Sequence, residues 1–336
     1  MKIVVISTIR NESDILETFV RYHLQFVDRM IIINHRSVDS SFSILESLKN
    51  EGLPLDLMEE RSLDHQQGPL LTSIMKKAVH DYGADWVVPL DADEFITAVE
   101  KGPLREIMEK LPQDRIVKLP WRTYVPLSSD DSRDPNILKR IQHYRRTENT
   151  DLRKIMIPRS LAMETNGFIS AGNHGFVKQT FRKQKDFPYV LLDNLIITHF
   201  PVRSASQIMT KAFVGWLACL AKPNKLPDEA FHLKLLYDRF KNGGDIRPEE
   251  LTSMAMGYAT ESATKKPSHD DLVHLPLVPE AGHFELHYTD ASTVNPLSVL
   301  AQLAEDFAEA LGANSQKQCR NNNDIQPKLR EWLRFR

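Results

Sequence analysis

Within residues 1–100, short apolar runs alternate with amphipathic stretches, and that rhythm restricts the fold more than any bulk property of the chain. Lys2–Ser7 reads as a strand, and the next segment carries Leu16, Phe19, Val20, His23, Phe26 and Val27 near helical spacing. Met30–Asn34 is a second strand, and Ser40–Asn50 a second helix opened by a Ser/Asp cluster. Leu53–Met58 is a third strand, followed by a polar loop, a helix from Pro69 to Tyr82 and a strand that ends at Asp91. Such alternation implies an α/β fold with a Rossmann-like, mostly parallel sheet flanked by helices. Ligands of these sheets bind beyond the carboxyl ends of the strands. Three polar tips stand there: Thr8-Ile9-Arg10-Asn11-Glu12, His35-Arg36-Ser37-Val38-Asp39 and Asp91-Ala92-Asp93-Glu94. All three are expected to line one crevice.

The third tip carries the most chemistry. In extended backbone, side chains two apart point the same way, so Asp91 and Asp93 can converge on one cation. Hard oxygen ligands suit Mg²⁺ or Mn²⁺, ions that keep open positions for substrate phosphates. The plain alternative is a set of acids that solvate a turn or cap a helix. The first strand–helix turn has no Gly-x-Gly-x-x-Gly, and no Gly-rich lysine loop is present. Bound phosphates would then rest on a metal and on side chains.

With 336 residues the chain suits one large α/β unit with an appended region. A net charge of −2 creates no global field toward nucleic acid or anionic lipid, so no nucleic-acid partner is expected. The two cysteines, Cys219 and Cys319, form neither a disulfide framework nor a zinc spacing, which points to a reducing compartment. Cys219 lies in an apolar helical stretch and reads as core. No run approaches the ~20 apolar residues of a membrane span, and the short N-terminal run is no signal sequence. A cytoplasmic location is expected.

A basic segment with Arg133, Lys139, Arg140, Arg145, Arg146, Arg153 and Lys154 is interleaved with acids and reads as a solvated face. Asn166–His174 is loop-like, and Leu191–Phe200 is a buried strand that ends in His199. Ser204–Tyr237 is helical, broken around Pro223–Pro227; Asp245–Asp290 is polar and suits a partly extended wrap; a helix follows from Pro296 to Leu311. The tail from Ser315 to Arg336 has six basic and two acidic residues, with Trp332, Leu333 and Phe335 near its end. It suits a docked or frayed terminus, or a peripheral contact with the inner face of a membrane or with a partner.

These pieces, in this order, resemble the GT-A glycosyltransferases, specifically a bacterial branch of the broad family-2 group with a DxD metal motif. Arg10-Asn11-Glu12, Asn34 to Asp39, Gln67-Gly68, Gly83-Ala84-Asp85-Trp86 and Asp91-Ala92-Asp93-Glu94-Phe95 carry the first half. Gly172-Asn173-His174 and His199-Phe200-Pro201-Val202-Arg203-Ser204, with Gln207, Lys211 and Gly215, carry the second. One departure stands out: Asn34-His35-Arg36-Ser37-Val38-Asp39 replaces an Asp-Asn-x-Ser-x-Asp pattern but keeps its last aspartate. The resemblance implies a GT-A catalytic domain over 1–215, with a nucleotide-binding half at 1–100 and an acceptor half at 101–215. Residues 216–336 would form a mainly helical extension packed on it or wrapping it.

It also implies transfer of a sugar from a nucleoside-diphosphate donor, UDP-linked by preference, to an acceptor nucleophile with inversion. Asp93, assisted by Asp91 and by His199 as third ligand, would hold Mn²⁺ or Mg²⁺ against the diphosphate; a core or capping histidine is the plainer role for His199. Asp39 would accept from the base N–H, Arg10 would bond the base or phosphate, and Thr8, Gln67 and Asp91 would join the donor contacts. Glu12 would either join them or cap the first helix. Arg203 and Lys211 would meet diphosphate charge or form ordinary ion pairs. Candidates for the base that takes the acceptor proton are His174, Glu94, Glu164 and Asp193, with His174 preferred for its place in the second-half motif. The acceptor stays open among glycan, lipid-linked, peptide and small-molecule nucleophiles. Two rivals share these features: a metal-dependent phosphoryl or nucleotidyl transferase, and a nucleotide- or carbohydrate-binding relative without turnover.

Overall fold

The computed structural model describes residues 1–62, 67–100, 102–148, 152–179, 184–221, 230–259, 271–289 and 295–309. The expected break around Pro223–Pro227, Cys319 and the tail from Ser315 to Arg336 lie outside them.

The first half follows the expected rhythm: β1 (Ile3–Ile9), α1 (Leu16–His23), β2 (Arg29–His35), α2 (Ser41–Asn50), β3 (Leu55–Glu60), α3 (Gln67–Tyr82) and β4 (Trp86–Pro89). All seven residues of β1 are buried because both faces of the sheet are covered. Ile3 and Val5 point into a cluster with Phe19, Leu45 and Leu48 of α1 and α2. Val4 and Ile6 point the other way, onto Leu71, Ile74 and Met75 of α3. Strands β3, β2, β1 and β4 are parallel neighbours, which brings the tips after β1, β2 and β4 to one edge.

The parallel order stops at β4. The chain continues through β5 (Glu94–Ala98), α4 (Leu104–Glu109), β6 (Ile116–Val125), α5 (Ile137–Arg140), β7 (His143–Arg145) and β8 (Arg153–Pro158). Strand β8 lies antiparallel between β4 and β6, and β7 is antiparallel to β6, so antiparallel strands extend the parallel part of a mixed sheet, and the expected α/β, Rossmann-like fold stands. After α6 (Arg159–Ala162) come β9 (Gly167–Ile169), a 3-10 turn (Ala171–Asn173), β10 (Phe176–Gln179) and β11 (Gln184–Asp186), with β9, β10 and β11 forming a small separate sheet. The stretch expected as a loop at 166–174 is therefore a strand and a turn. Strand β12 (Tyr189–Leu191) runs beside β6, and β13 (Leu195–His199) lies between β5 and β6, pairing His199 with Glu94 and Thr123.

Helices α7 (Ala205–Leu220), α8 (Phe231–Lys241) and α9 (Pro248–Met256) meet around Val125, Val202, Phe213, Phe240 and Ala255. Cys219 is buried in α7. A short strand, β14 (Leu272–His274), pairs with β7, and residues 296–309, the last described, are helical (α10). No helix among the described residues is long and apolar enough to cross a membrane.

The basic segment corrects the sequence reading in two places. Arg133 is solvated, but Arg145 and Lys154 are buried. Arg145 pairs with Glu148 and donates to the carbonyls of Ala255, Met256 and Tyr258 at the end of α9. A cation at that end meets the free carbonyls of the last turn and the negative end of the helix dipole.

Residues 275–289 run back over the first half. Tyr124 Oη donates to the Leu275 carbonyl, Ala281 N donates to Gln25 Oε1, and the Glu17 carboxylate accepts from the amides of His287, Tyr288 and Thr289 at 2.8–2.9 Å. Burial alone would raise the Glu17 pKa; those three amides and Arg21 outweigh it and hold the group below its usual value. A carboxyl with a lowered folded pKa stabilises above its unfolded pKa and loses that contribution as pH falls through the folded value. Glu17→Gln is therefore expected to cost about 1–3 kcal/mol near neutral pH, with the gap to wild type closing toward pH 3 in urea unfolding curves. Equal midpoints at pH 7 would mean that this strap adds nothing to stability.

Candidate active site

The turn that joins β4 to β5 carries Asp91, Ala92 and Asp93. Asp91 N donates to Glu94 Oε2 and Glu94 N to the Asp91 carbonyl, which closes the turn. The backbone is thus bent where extended geometry was expected, and the two aspartates meet different partners.

Asp91 is held from three sides. Gln67 Nε2, at the start of α3, donates to Oδ1 at 2.8 Å, and Asn173 Nδ2 at 3.2 Å. Lys154 Nζ, at the start of β8, donates to Oδ2 at 2.7 Å, to the Gly172 carbonyl at 2.7 Å and lies 3.0 Å from Glu94 Oε1. Burial would lower the Lys154 pKa, but the charges of Asp91 and Glu94 outweigh it and raise it, so the ammonium stays charged. Glu94 is wholly buried behind this group, and burial raises its pKa to about 8. It reaches the crevice through Lys154 and Asp91 and not directly.

Asp93 is almost buried. Its Oδ1 lies 3.5 Å from His199 Nε2, and its Oδ2 lies 3.6 Å from Arg203 and 3.8 Å from Lys211 Nζ. All three contacts are longer than the 2.7–2.9 Å or so of a charged hydrogen bond. Burial opposes ionisation of Asp93, but His199 and Lys211 outweigh it and hold the carboxyl far below its usual range. His199 Nδ1 is buried without a hydrogen-bond partner. Burial lowers the His199 pKa, which favours the neutral imidazole that a metal requires. Among the described residues no cluster of three or more metal-ligating side chains forms. An O,N pair of this kind nevertheless suits an ion of Mn²⁺ or Mg²⁺ type. Asp91, committed to Gln67, Asn173 and Lys154, stands outside that pair.

Arg203 has no exposed side-chain surface. It donates to both oxygens of Asp14, to Glu12 Oε2 and to the Phe200 carbonyl. It braces the β1–α1 turn against the end of β13, and Lys211, with 38% of its side chain exposed, is the cation that faces outward beside Asp93. Glu12 caps nothing with its side chain; burial raises its pKa to about 7 against the pull of Arg203. Asp39 spends its oxygens on the amides of Ser13 and Ser41, tying the β1–α1 and β2–α2 turns together. Thr8 and Arg10 lie at the end of β1, with Thr8 Oγ1 and Arg10 Nε buried and without hydrogen-bond partners. His35 is buried against the Ser62 carbonyl.

His174 follows the 3-10 turn, and its Nδ1 lies 3.0 Å from the Arg153 carbonyl. A carbonyl only accepts, so Nδ1 carries the proton and Nε2 keeps its lone pair. Burial and then the Lys154 charge lower the His174 pKa, which keeps the ring neutral near pH 7. Glu164 and Asp193 are exposed, after α6 and before β13, and neither joins this cluster among the described contacts.

Sequence reading missed three residues of the site. Lys154 was assigned to a solvated face; the apolar run Ile155–Ile157 that follows it was the available signal. Trp121 stands among His174, His199 and Lys154, with ring separations of 5.3 Å and 4.6 Å to the two histidines. Tyr258 arrives from beyond α9 and lies 5.3 Å from the His199 ring and 5.7 Å from Lys211 Nζ. Nothing local in the sequence ties it to the site.

No protein-family model matches the chain, and no curated protein matches it. Among solved structures, residues 1–349 of TarS from S. aureus, in complex with UDP, are 11% identical, with TM-score 0.35 over 77% of this chain and 73% of that one. Mannosyltransferase PcManGT from Pyrobaculum calidifontis, in complex with GDP-Man and Mn²⁺, is 13% identical, with TM-score 0.37 over 78% and 76%. Glucosyl-3-phosphoglycerate synthase from Mycobacterium tuberculosis, with Mn²⁺, UDP and glucosyl-3-phosphoglycerate, is 14% identical, with TM-score 0.28 over 48% and 57%. Such overlaps are partial in shape, and no residue role passes from these proteins to this chain.

Gly172 has φ 72°, and a Cβ there would stand 2.8 Å from two atoms of the His174 ring. Gly172→Ala is therefore expected to push His174 out of its place and toward solvent, moving its pKa up toward the ordinary value of about 6.5. Histidine NMR titration reads this directly. An unchanged His174 titration would show that the turn absorbs the methyl group.

Proposed function

We propose that this chain is a metal-dependent glycosyltransferase that moves a sugar from a nucleoside-diphosphate donor, UDP-linked, to an acceptor nucleophile with inversion. The observation that carries the reading is the Asp93–His199 pair, set at the carboxyl edge of a parallel sheet, with Lys211 on its far side and a neutral His174 nearby. In this reading residues 1–215 form the catalytic unit, with the nucleotide on 1–100 and the acceptor on 101–215, and residues 216–336 are its extension.

Departure of a diphosphate concentrates negative charge on its oxygens, and the catalyst must meet that charge in a site with little water. Asp93 and His199 would hold the divalent ion, which supplies Lewis-acid neutralisation of the diphosphate. Lys211 binds the same charge from the other side of Asp93. Arg203 acts through its neighbours: it keeps Asp93, Asp14 and Glu12 in place. Asp91 is oriented by Gln67, Asn173 and Lys154 so that its carboxylate faces the donor sugar or ribose. Arg10 and Thr8, with unused polar atoms at the end of β1, bind the nucleotide; Asp39 shapes its pocket by pinning two turns and offers base contacts only at its rim. His174 Nε2 takes the proton of the attacking hydroxyl, and Glu94 backs Lys154 behind the site.

UDP is expected to raise the melting temperature with Mn²⁺ or Mg²⁺ and to lose that effect in EDTA, because a ligand stabilises only the state it binds. Asp93→Asn should abolish the metal-dependent shift while the unliganded protein keeps its fold; equal stabilisation by UDP in EDTA would remove the metal from the reading.

His174→Ala should slow sugar transfer by about 10²–10⁴-fold and leave Mn²⁺–UDP affinity nearly unchanged, whereas His199→Ala should weaken that affinity. Turnover and calorimetric titration on both variants separate the roles. Full turnover of His174→Ala would pass the base to another group.

A further inference from the structure

The helix α10, residues 296–309, uses one face to sit down on the rest of the protein. Val299, Leu303 and Asp306 are buried on it, at positions i, i+4 and i+7. Leu300 packs against the cluster formed by Val202, Ile208 and Phe213 at the start of α7, on the acceptor side. Asp306 reaches the nucleotide side. Its carboxylate accepts from Arg36 Nε at 2.9 Å and pairs with the Arg36 terminal nitrogen as well, while Gln302 Nε2 donates to it at 3.2 Å. The helix thus spans the crevice between the two halves.

Asp306 lands on a specific place. Arg36 follows β2 and Arg10 follows β1, so both stand at the carboxyl edge where the nucleotide lies in the proposed reading. Arg36 has φ 55°, a left-handed conformation unfavourable for a non-glycine residue, and its Nη1 is anchored on the Arg61 carbonyl at 2.5 Å. Arg10 is largely buried, which lowers its pKa to about 10, and the nearby charge of Asp306 opposes the fall. Its Nε is buried and has no hydrogen-bond partner, as do Thr8 Oγ1 and Asn11 Nδ2 beside it. Two guanidinium groups and unused polar atoms at this edge suit acceptor oxygens. The Asp306 carboxylate supplies two of them.

We propose that the Arg10–Arg36 pair is a nucleotide-binding subsite and that Asp306, carried by α10, is its internal competitor, so that α10 is an autoinhibitory plug displaced when a nucleoside diphosphate enters. The proposal rests on the donor-binding reading above. It follows from ordinary competition: Arg36 serves the Asp306 carboxylate or the nucleotide oxygens, Arg10 feels the Asp306 charge, and the apparent affinity falls by the fraction of molecules in which α10 is seated.

The test uses the full chain. UDP is titrated calorimetrically, with Mn²⁺, into wild type and Asp306→Asn, which keeps the shape of the side chain and removes its charge. The variant is expected to bind UDP about fivefold or more tightly. In wild type, amide hydrogen exchange of residues 296–309 is expected to quicken when UDP is added, a measurement that stands even if the variant folds poorly. Equal or weaker UDP binding by Asp306→Asn, or slower exchange of α10 with UDP, overturns the plug and leaves the donor site intact. If neither protein binds UDP, the donor-site reading falls and takes the plug with it.

Discussion

A buried ammonium holds the centre of this molecule together. Lys154 Nζ donates to Asp91 Oδ2 and the Gly172 carbonyl and lies 3.0 Å from Glu94 Oε1. Placing a charge at 1% exposure carries a desolvation cost of several kcal/mol, and only complete pairing with good geometry offsets it. That pairing joins two otherwise separate pieces: the turn from β4 into β5 and the glycine turn before His174. The adjacent Arg153 carbonyl then sets the His174 tautomer. One dipeptide at the start of β8 thereby orients both the aspartate turn and the candidate base.

A second buried cation does the same on the other side. Arg203 ties the β1–α1 turn to the end of β13, and Asp93 sits between it and His199. The two cations divide the acidic turn, Lys154 taking Asp91 and Arg203 approaching Asp93. This division explains why the pair at positions 91 and 93 acts as two sites with different partners. A bend of the backbone between them makes it possible.

The chain beyond α7 closes the site as well as covering the core. Arg145 caps α9 and so presents Tyr258 to His199 and Lys211. The Glu17 carboxylate holds the strap at residues 287–289, and Asp306 brings α10 onto Arg36. Each of these is a charged group at a point where a late segment meets an early one, and it adds direction to the apolar packing of α7–α10 around Val202, Phe213 and Phe240.

Local periodicity in the sequence determined the first half of the fold: β1 to β4 and the three helices between them need only side-chain period and turn chemistry, both local properties. The crevice edge followed, since right-handed crossovers bring alternate strand ends together. His174 and His199 were legible for the same reason, one beside two glycines and one at the end of an apolar strand. Tertiary structure alone decided the rest. Lys154 and Arg145 looked like surface charges because burial of a cation depends on acceptors that arrive from 18 to 113 residues away. That two backbone amides from separate turns also bond the Asp39 oxygens was not legible in the sequence. The reversal of β8, the commitment of Arg203 to the interior and the arrival of Tyr258 and Asp306 are long-range pairings. Their energies depend on distances in space, which no spacing along the chain encodes.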